Sequence, residues 1–247
     1  MALPRAFRVR TIARMELLPR RTRRSAAAAS FPAAFGLVPG DIVSFVGGGG
    51  KTSALFATAR AIVAGGGRVL STTTTRLGID ECAATRCRII TEPAAVHAAL
   101  AEAPHVLLTG APDPAIGKTG GIEPAVLCAL DIAPAIMLIE ADGARKRPFK
   151  APAAHEPVVP ACTSVLVVVV GIDAIGRPLD DQAVHRAASV ARIHQGARVT
   201  PRMVAAVLAH RDGGLKARPP GARAIALVNK VDDAPALARA RALAQVL

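Results

Sequence analysis

Tryptophan and tyrosine are absent from this 247-residue chain, and phenylalanine occurs only six times. Proteins that hold single-stranded nucleic acid stack its bases on aromatic side chains, so that class has almost no platform here. A hydrophobic share of 51% still provides for a substantial core, built from Ala, Val, Leu and Ile. Long apolar runs are missing as well. The longest, Val165 to Ile172, is far too short to cross a bilayer, and the start of the chain lacks the apolar stretch of a secretory signal. A cytoplasmic protein without a membrane partner is expected. Cysteine is scarce: Cys82, Cys87, Cys128 and Cys162. One C-x4-C pair without a second pair argues against zinc, so the expectation is a reduced chain with small buried thiols and no structural metal.

Acid is nearly absent from residues 1–24, where eight arginines face the single Glu16. About half of the formal +13 charge therefore sits in this segment. Residues 1–30 read as a basic tail, disordered or translated from a start assigned ahead of Met15; a transit peptide has a similar composition. Residues 31–247 remain mildly basic, as suits a binder of polyanionic nucleotides, and read as a single nucleotide-binding domain.

Apolar runs bounded by turn residues recur at 42–46, 68–72, 88–91, 105–109, 135–140, 164–170 and 223–228. Most lack alternation, as strands buried on both faces do. Between them lie helical patterns: one after Thr52 that stops at Gly65-Gly66-Gly67, two over 92–103 and 123–133 that open with Glu-Pro, one from Thr200-Pro201 to Gly213-Gly214, and a last one capped by Asp233. The pattern predicts an α/β fold with a mostly parallel sheet and helices on both faces, like that of P-loop NTPases, with ligands at the carboxyl ends of the strands.

The residues at those strand ends carry the chemistry. The first apolar run leads into Gly47-Gly48-Gly49-Gly50-Lys51-Thr52-Ser53. Glycines let backbone N–H groups curl around a phosphate, the helix N-terminus adds positive charge, Lys51 neutralises the β- and γ-phosphates, and the Thr52 hydroxyl is a ligand for Mg²⁺. The longer G-x4-G-K-[ST] pattern would need Gly at 45, where Phe stands. A second Gly-Lys-Thr at Gly117-Lys118-Thr119 follows a strand at the wrong spacing, with Pro112 and Pro114 between, and reads as a surface loop. The run 135–140 delivers Glu140 and Asp142 at alternate positions, followed by Gly143. Such carboxylates hold Mg²⁺ or orient water, and a glycine N–H three residues on can reach a γ-phosphate. The run 223–228 ends in Asn229-Lys230-Val231-Asp232, where Asp232 suits the two N–H donors of a guanine edge. Thr72 to Thr75 read equally well as strand residues or as hydroxyls for Mg²⁺ or substrate. Arg145, Lys146, Arg147, Lys150, His155 and Glu156 form either a substrate loop or a solvated basic loop.

With these residues in hand, the stretches VGGGGKTS, LSTTTTR, IEADGARKRPFKAPAAHEPVVP, GIDAIGRPL, HRDGGLK and LVNKVD resemble the YqeC family, accessory proteins for selenium-dependent molybdenum hydroxylases. The glycine loop, Glu140-x-x-Gly143 and Asn229-Lys230-x-Asp232 are also similar to the motif set of metal-center maturation GTPases. The resemblance implies a GTP- or ATP-binding, Mg²⁺-dependent accessory protein, a slow nucleoside triphosphatase whose catalytic residues would be Lys51, Glu140 and Asp142. It also implies a molybdenum hydroxylase or its cofactor as partner. Phe45, and a chain that ends one helix after Asp232, leave the choice of base open. A transferase that activates a selenium or molybdopterin group is the alternative enzyme. A basic scaffold or nucleic-acid binder ranks last, since the charge lies in the tail and aromatics are missing.

Overall fold

Unalternated apolar runs become strands whose two faces are covered by different helices. The computed structural model describes residues 7–10 and 31–247; the tail reading for 1–6 and 11–30 lies outside the described residues. In chain order, the first half holds β1 (Phe7–Arg10), α1 (31–35), β2 (Ile42–Gly47), α2 (Lys51–Ala64), β3 (Val69–Thr73), β4 (Leu77–Gly78) and α3 (Ile79–Ala83). Next come β5 (Arg88–Ile90), α4 (Val96–Glu102), β6 (His105–Leu108), β7 (Pro112–Asp113), β8 (Lys118–Thr119) and α5 (Pro124–Ala129). The second half holds β9 (Ile136–Glu140), β10 (Phe149–Lys150), β11 (Val165–Gly171), β12 (Val184–His185), α6 (Ala187–Ile193), α7 (Pro201–Ala209), β13 (Arg223–Asn229) and α8 (Ala234–Ala244).

The central sheet runs β1-β13-β11-β2-β9-β3-β6-β5, every pairing parallel. Successive side chains of β11 go to opposite faces. Val165, Val167 and Val169 join Phe35, Leu55 and Phe56 from α1 and α2. Leu166, Val168 and Val170 join Leu100, Leu127, Val204 and Leu243 from α4, α5, α7 and α8. Both sets are buried, so the run shows no polar alternation.

Parallel register brings the functional strand ends out on one edge. Gly47 lies opposite Val169, Glu140 opposite Phe45, and Asn229 opposite Gly171. The chain leaves β2 for strands on one side of it and later returns to β11 and β13 on the other. The glycine loop thus sits at a switch point, where such sheets bind ligands.

Several expectations need correction. The chain is not wholly reduced: Cys128 and Cys162 form a disulfide, their Cα atoms 5.5 Å apart. Its partners are 34 residues apart, and only the tertiary fold, which sets α5 against the turn before β11, brings them together. Cys82 is a buried thiol as expected, while the Cys87 thiol is half-buried. The helix expected over 123–133 ends at Ala129, where Leu130 turns extended ahead of Asp131 and Pro134. The helix expected from 92 opens as a 3-10 turn at Pro93–Ala95. Lys118 and Thr119, read as a surface loop, instead form β8 of an antiparallel β4-β8-β7 ribbon, with Lys118 exposed and Thr119 buried. Among the described residues no helix is long and apolar enough to cross a membrane.

Candidate functional site

The glycine loop is tight because backbone closes on it from two sides. Gly47, Gly49 and Gly50 have φ of 96°, 80° and 109°, the left-handed region that glycine enters freely. A Cβ on Gly49 would lie 2.1 Å from the Gly171 nitrogen, and one on Gly50 would lie 2.5 Å from Asn229 Nδ2. The first three loop N–H groups donate within the protein: Gly47 to Asp142 Oδ2 at 3.0 Å, Gly48 to the Val169 carbonyl at 2.9 Å, and Gly49 to the Arg147 carbonyl at 2.9 Å. Helix α2 makes its first turn bond from Ala54 to Gly50. Among the described residues, the N–H groups of Gly50, Lys51, Thr52 and Ser53 have no acceptor outside the helix. These are the orphan donors every helix start presents, and they carry its partial positive charge.

Across the β2–β9 pair stand the two acids. Lys51 is buried and folds back over its own loop, donating to the Gly47 carbonyl at 2.9 Å. Its ammonium lies 3.2 Å from Asp142 Oδ1 and 3.7 Å from Glu140 Oε1. Thr52 Oγ1 donates to Glu140 Oε2 at 2.7 Å. Four residues from two separate motifs thus form one knot. Burial works against the Lys51 charge, but Asp142 and Glu140 hold its pKa above the usual value. Burial pushes the Glu140 carboxyl up, opposed by Lys51 and the Thr52 hydroxyl.

Lys150 extends the knot. Sequence left it between a substrate loop and a solvated loop, yet its side chain is 1% exposed. It lies 3.0 Å from Asp142 Oδ2 and 2.8 Å from Glu156 Oε2, and donates to the Gly143 carbonyl. Glu156 in turn accepts two bonds from Arg186, at 2.6 and 3.1 Å. Burial alone would raise the Glu156 pKa; the bonds from Arg186 and Lys150 bring it down to about 2. The register of β10 on β12, which sets Lys150 beside His185, creates this cluster. The Arg186 contact was not foreseen; its only sequence sign was the His185-Arg186 pair itself.

At the end of β13, Asn229 Nδ2 donates to the Gly49 carbonyl at 2.9 Å, tying that strand to the glycine loop. Lys230, at φ 62°, reaches Asp173 Oδ2 at 2.9 Å. Asp173, at the end of β11, carried no sign in sequence beyond the GIDAIGRPL stretch. Asp232 is exposed and, among the described residues, makes no hydrogen bond or ion pair. Ser53 and Gly143 are exposed as well. Thr72 and Thr73 are buried in β3, with Thr73 donating to the Glu140 carbonyl and Thr74 to that of Val158.

No solved structure gives a significant match. A protein of Escherichia coli strain K12, described as uncharacterized protein YqeC, is 33% identical over 196 residues, which span 76% of this chain and 75% of that protein. The family profile described as YqeC protein matches residues 43–188, from β2 through the glycine loop, Glu140, Asp142 and Lys150 to Arg186, with Asn229 and Asp232 beyond it. Profile and relative agree: this chain belongs to the YqeC family.

Proposed function

We infer that this protein binds a nucleoside triphosphate with Mg²⁺ at a P-loop-like site and turns it over slowly, as an accessory factor in maturing selenium-dependent molybdenum hydroxylases. The process rests on the family resemblance. The nucleotide chemistry rests on one observation above the others, the Thr52 Oγ1 to Glu140 Oε2 contact of 2.7 Å beside Lys51.

That contact sets a hydroxyl and a buried carboxylate, both hard oxygen ligands, side by side next to the orphan N–H groups of α2. A carboxylate whose pKa burial has raised gains from a cation beside it, so Thr52 and Glu140 suit Mg²⁺. Mg²⁺ would neutralise charge on the β- and γ-phosphate oxygens. Lys51 would exchange the Gly47 carbonyl and the acids for phosphate oxygens, with the first-turn N–H groups of α2 beside it. Asp142, already engaged by Gly47 N–H, Lys51 and Lys150, is better suited to hold the loop than to take a metal. Asp232, exposed past the end of β13, is the acceptor that a guanine edge would meet.

Calorimetric titration with GTP, ATP and their diphosphates, with and without Mg²⁺, tests the reading. Triphosphate binding should need Mg²⁺ and be lost in Lys51→Ala, with affinity falling about ten- to a hundredfold or more. Lys118→Ala should bind as wild type does. Equal losses at both lysines would place the phosphate site elsewhere. Product analysis then separates hydrolysis, which releases phosphate, from transfer, which leaves a phosphorylated or nucleotidylated product.

A further inference from the structure

A cavity of about 580 Å³ opens at the edge of the sheet opposite the glycine loop. Strands β5 and β6 begin there, at Arg88 and His105, whereas β2 ends at the loop. Helix α2 joins the two edges. Lys51 opens it beside the glycine loop, and at its other end Arg60, Val63 and Ala64 line the cavity. With Ala103 and Pro104 the last two make an apolar wall, and the space is of the size that holds a small organic molecule.

The charged lining has one sign. Arg60 and Arg86 are exposed, line the same cavity and, among the described residues, make no hydrogen bond or ion pair. Arg88 also lines it, but is paired with Glu102. No acidic side chain is among the described lining residues. The last carbonyls of α2 would repel an anion, yet those of Ala61, Ile62 and Val63 accept from the N–H groups of Gly65, Gly66 and Gly67.

A buried donor completes the lining. His105 is 7% exposed, and its Nε2 lies 2.8 Å from Ser71 Oγ, while Nδ1 has no partner among the described residues. The Ser71 hydroxyl has no other partner there. When it donates to Nε2, the proton of the neutral ring sits on Nδ1, a donor left for a ligand.

We propose that this cavity binds a small organic anion, an oxyanion group on an apolar body, at a site separate from the glycine loop. Arg60 and Arg86 take the oxyanion, with His105 as neutral donor, and the body lies against Val63 and Pro104. The site stands whether or not the glycine loop holds nucleotide, since it shares no residue with that loop.

Anilinonaphthalene sulfonate is the probe, a fluorescent sulfonate on an apolar body, and a chain without Trp or Tyr adds little fluorescence of its own. Titrated into the full chain, it should bind saturably and at least tenfold more tightly than uncharged phenylnaphthylamine. Arg60→Gln and Arg86→Gln should each weaken it about tenfold or more at an unchanged melting temperature, because both side chains are exposed and unpaired. The half-buried Cys87 thiol lines the same cavity, so bound probe should slow its alkylation by iodoacetamide, read by peptide mass spectrometry. Lys51→Ala should bind the probe as wild type does. Loss of binding in Lys51→Ala would assign the probe to the glycine loop and overturn the proposal. So would unchanged affinity in both glutamine variants, equal binding of the uncharged analogue, or Cys87 alkylation that saturating probe leaves unaltered.

Discussion

The phosphate side and the base side of the candidate cleft are satisfied in opposite ways. On the phosphate side every charged group is engaged by the protein itself: Lys51 by Gly47, Asp142 and Glu140, and Lys150 by Asp142 and Glu156. On the base side Asp232 is exposed and unbonded among the described residues. A ligand at the first must replace internal partners, whereas at the second it meets a free acceptor. Substitutions on the phosphate side therefore act on folding and binding together. At Asp232 they should act on binding alone, whereas Asn229 and Lys230 already bond within the protein.

Lys150→Met would test the closed side most severely. It leaves Asp142 and Glu156 without their shared buried cation, and breaking such a pair costs about 3–5 kcal/mol. Urea denaturation at pH 7 should register that loss; a change below about 1 kcal/mol would mean the knot contributes little to the fold.

A site far from the cleft serves as a reference. His105 begins β6, with Nε2 2.8 Å from Ser71 Oγ. Burial and then Arg60 lower its pKa to about 4. The unfolded chain takes up this proton near pH 6.5 while the folded chain stays neutral down to about 4. The stability this group contributes is therefore complete above 6.5 and falls as pH drops through that window. Between pH 7 and pH 5 the loss should be on the order of 2 kcal/mol. Comparing urea midpoints of wild type and His105→Gln at both pH values isolates it, and an equal slope in the two proteins would refute the assignment.

Asp232→Asn examines the open side and should leave stability within about 0.5 kcal/mol of wild type. If Asp232 takes the two N–H donors of guanine, the asparagine amine would face guanine's own amine. GTP should weaken by about 1–3 kcal/mol, ATP should be spared, and xanthosine triphosphate should improve. An unchanged ratio of GTP to ATP affinity would remove guanine from the proposal and leave Lys51 and Thr52 untouched.

The main strands were legible because burial on both faces writes itself as an unbroken apolar run, as in β9 and β11. The glycine loop was legible because its residue types answer to backbone geometry and charge. The two-residue strands β4, β7, β8, β10 and β12 have no room for a period, so they left no trace. Helix α6 was missed because it follows Arg186, a left-handed residue that is neither a common cap nor a turn former. Lys150 shows the limit most clearly. It follows the basic run 145–147, and only the tertiary placement of β10 turns it inward to the acids. The three bonds from Gly47, Gly48 and Gly49 to Asp142, Val169 and Arg147 also depend on segments distant in sequence, so the loop looked freer in the sequence than it is in the fold.

The disulfide has a consequence beyond redox state. Between Cys128 and Cys162 lie β9, Glu140, Asp142, Arg145, Lys146, Lys150 and Glu156, so these groups share one covalent macrocycle. A peptide bond cut anywhere inside that ring opens it without separating the polypeptide, and both fragments stay tethered. Cleavage of the exposed Arg145–Lys146 segment would pass unnoticed on a non-reducing gel and show two bands only once the bridge is reduced.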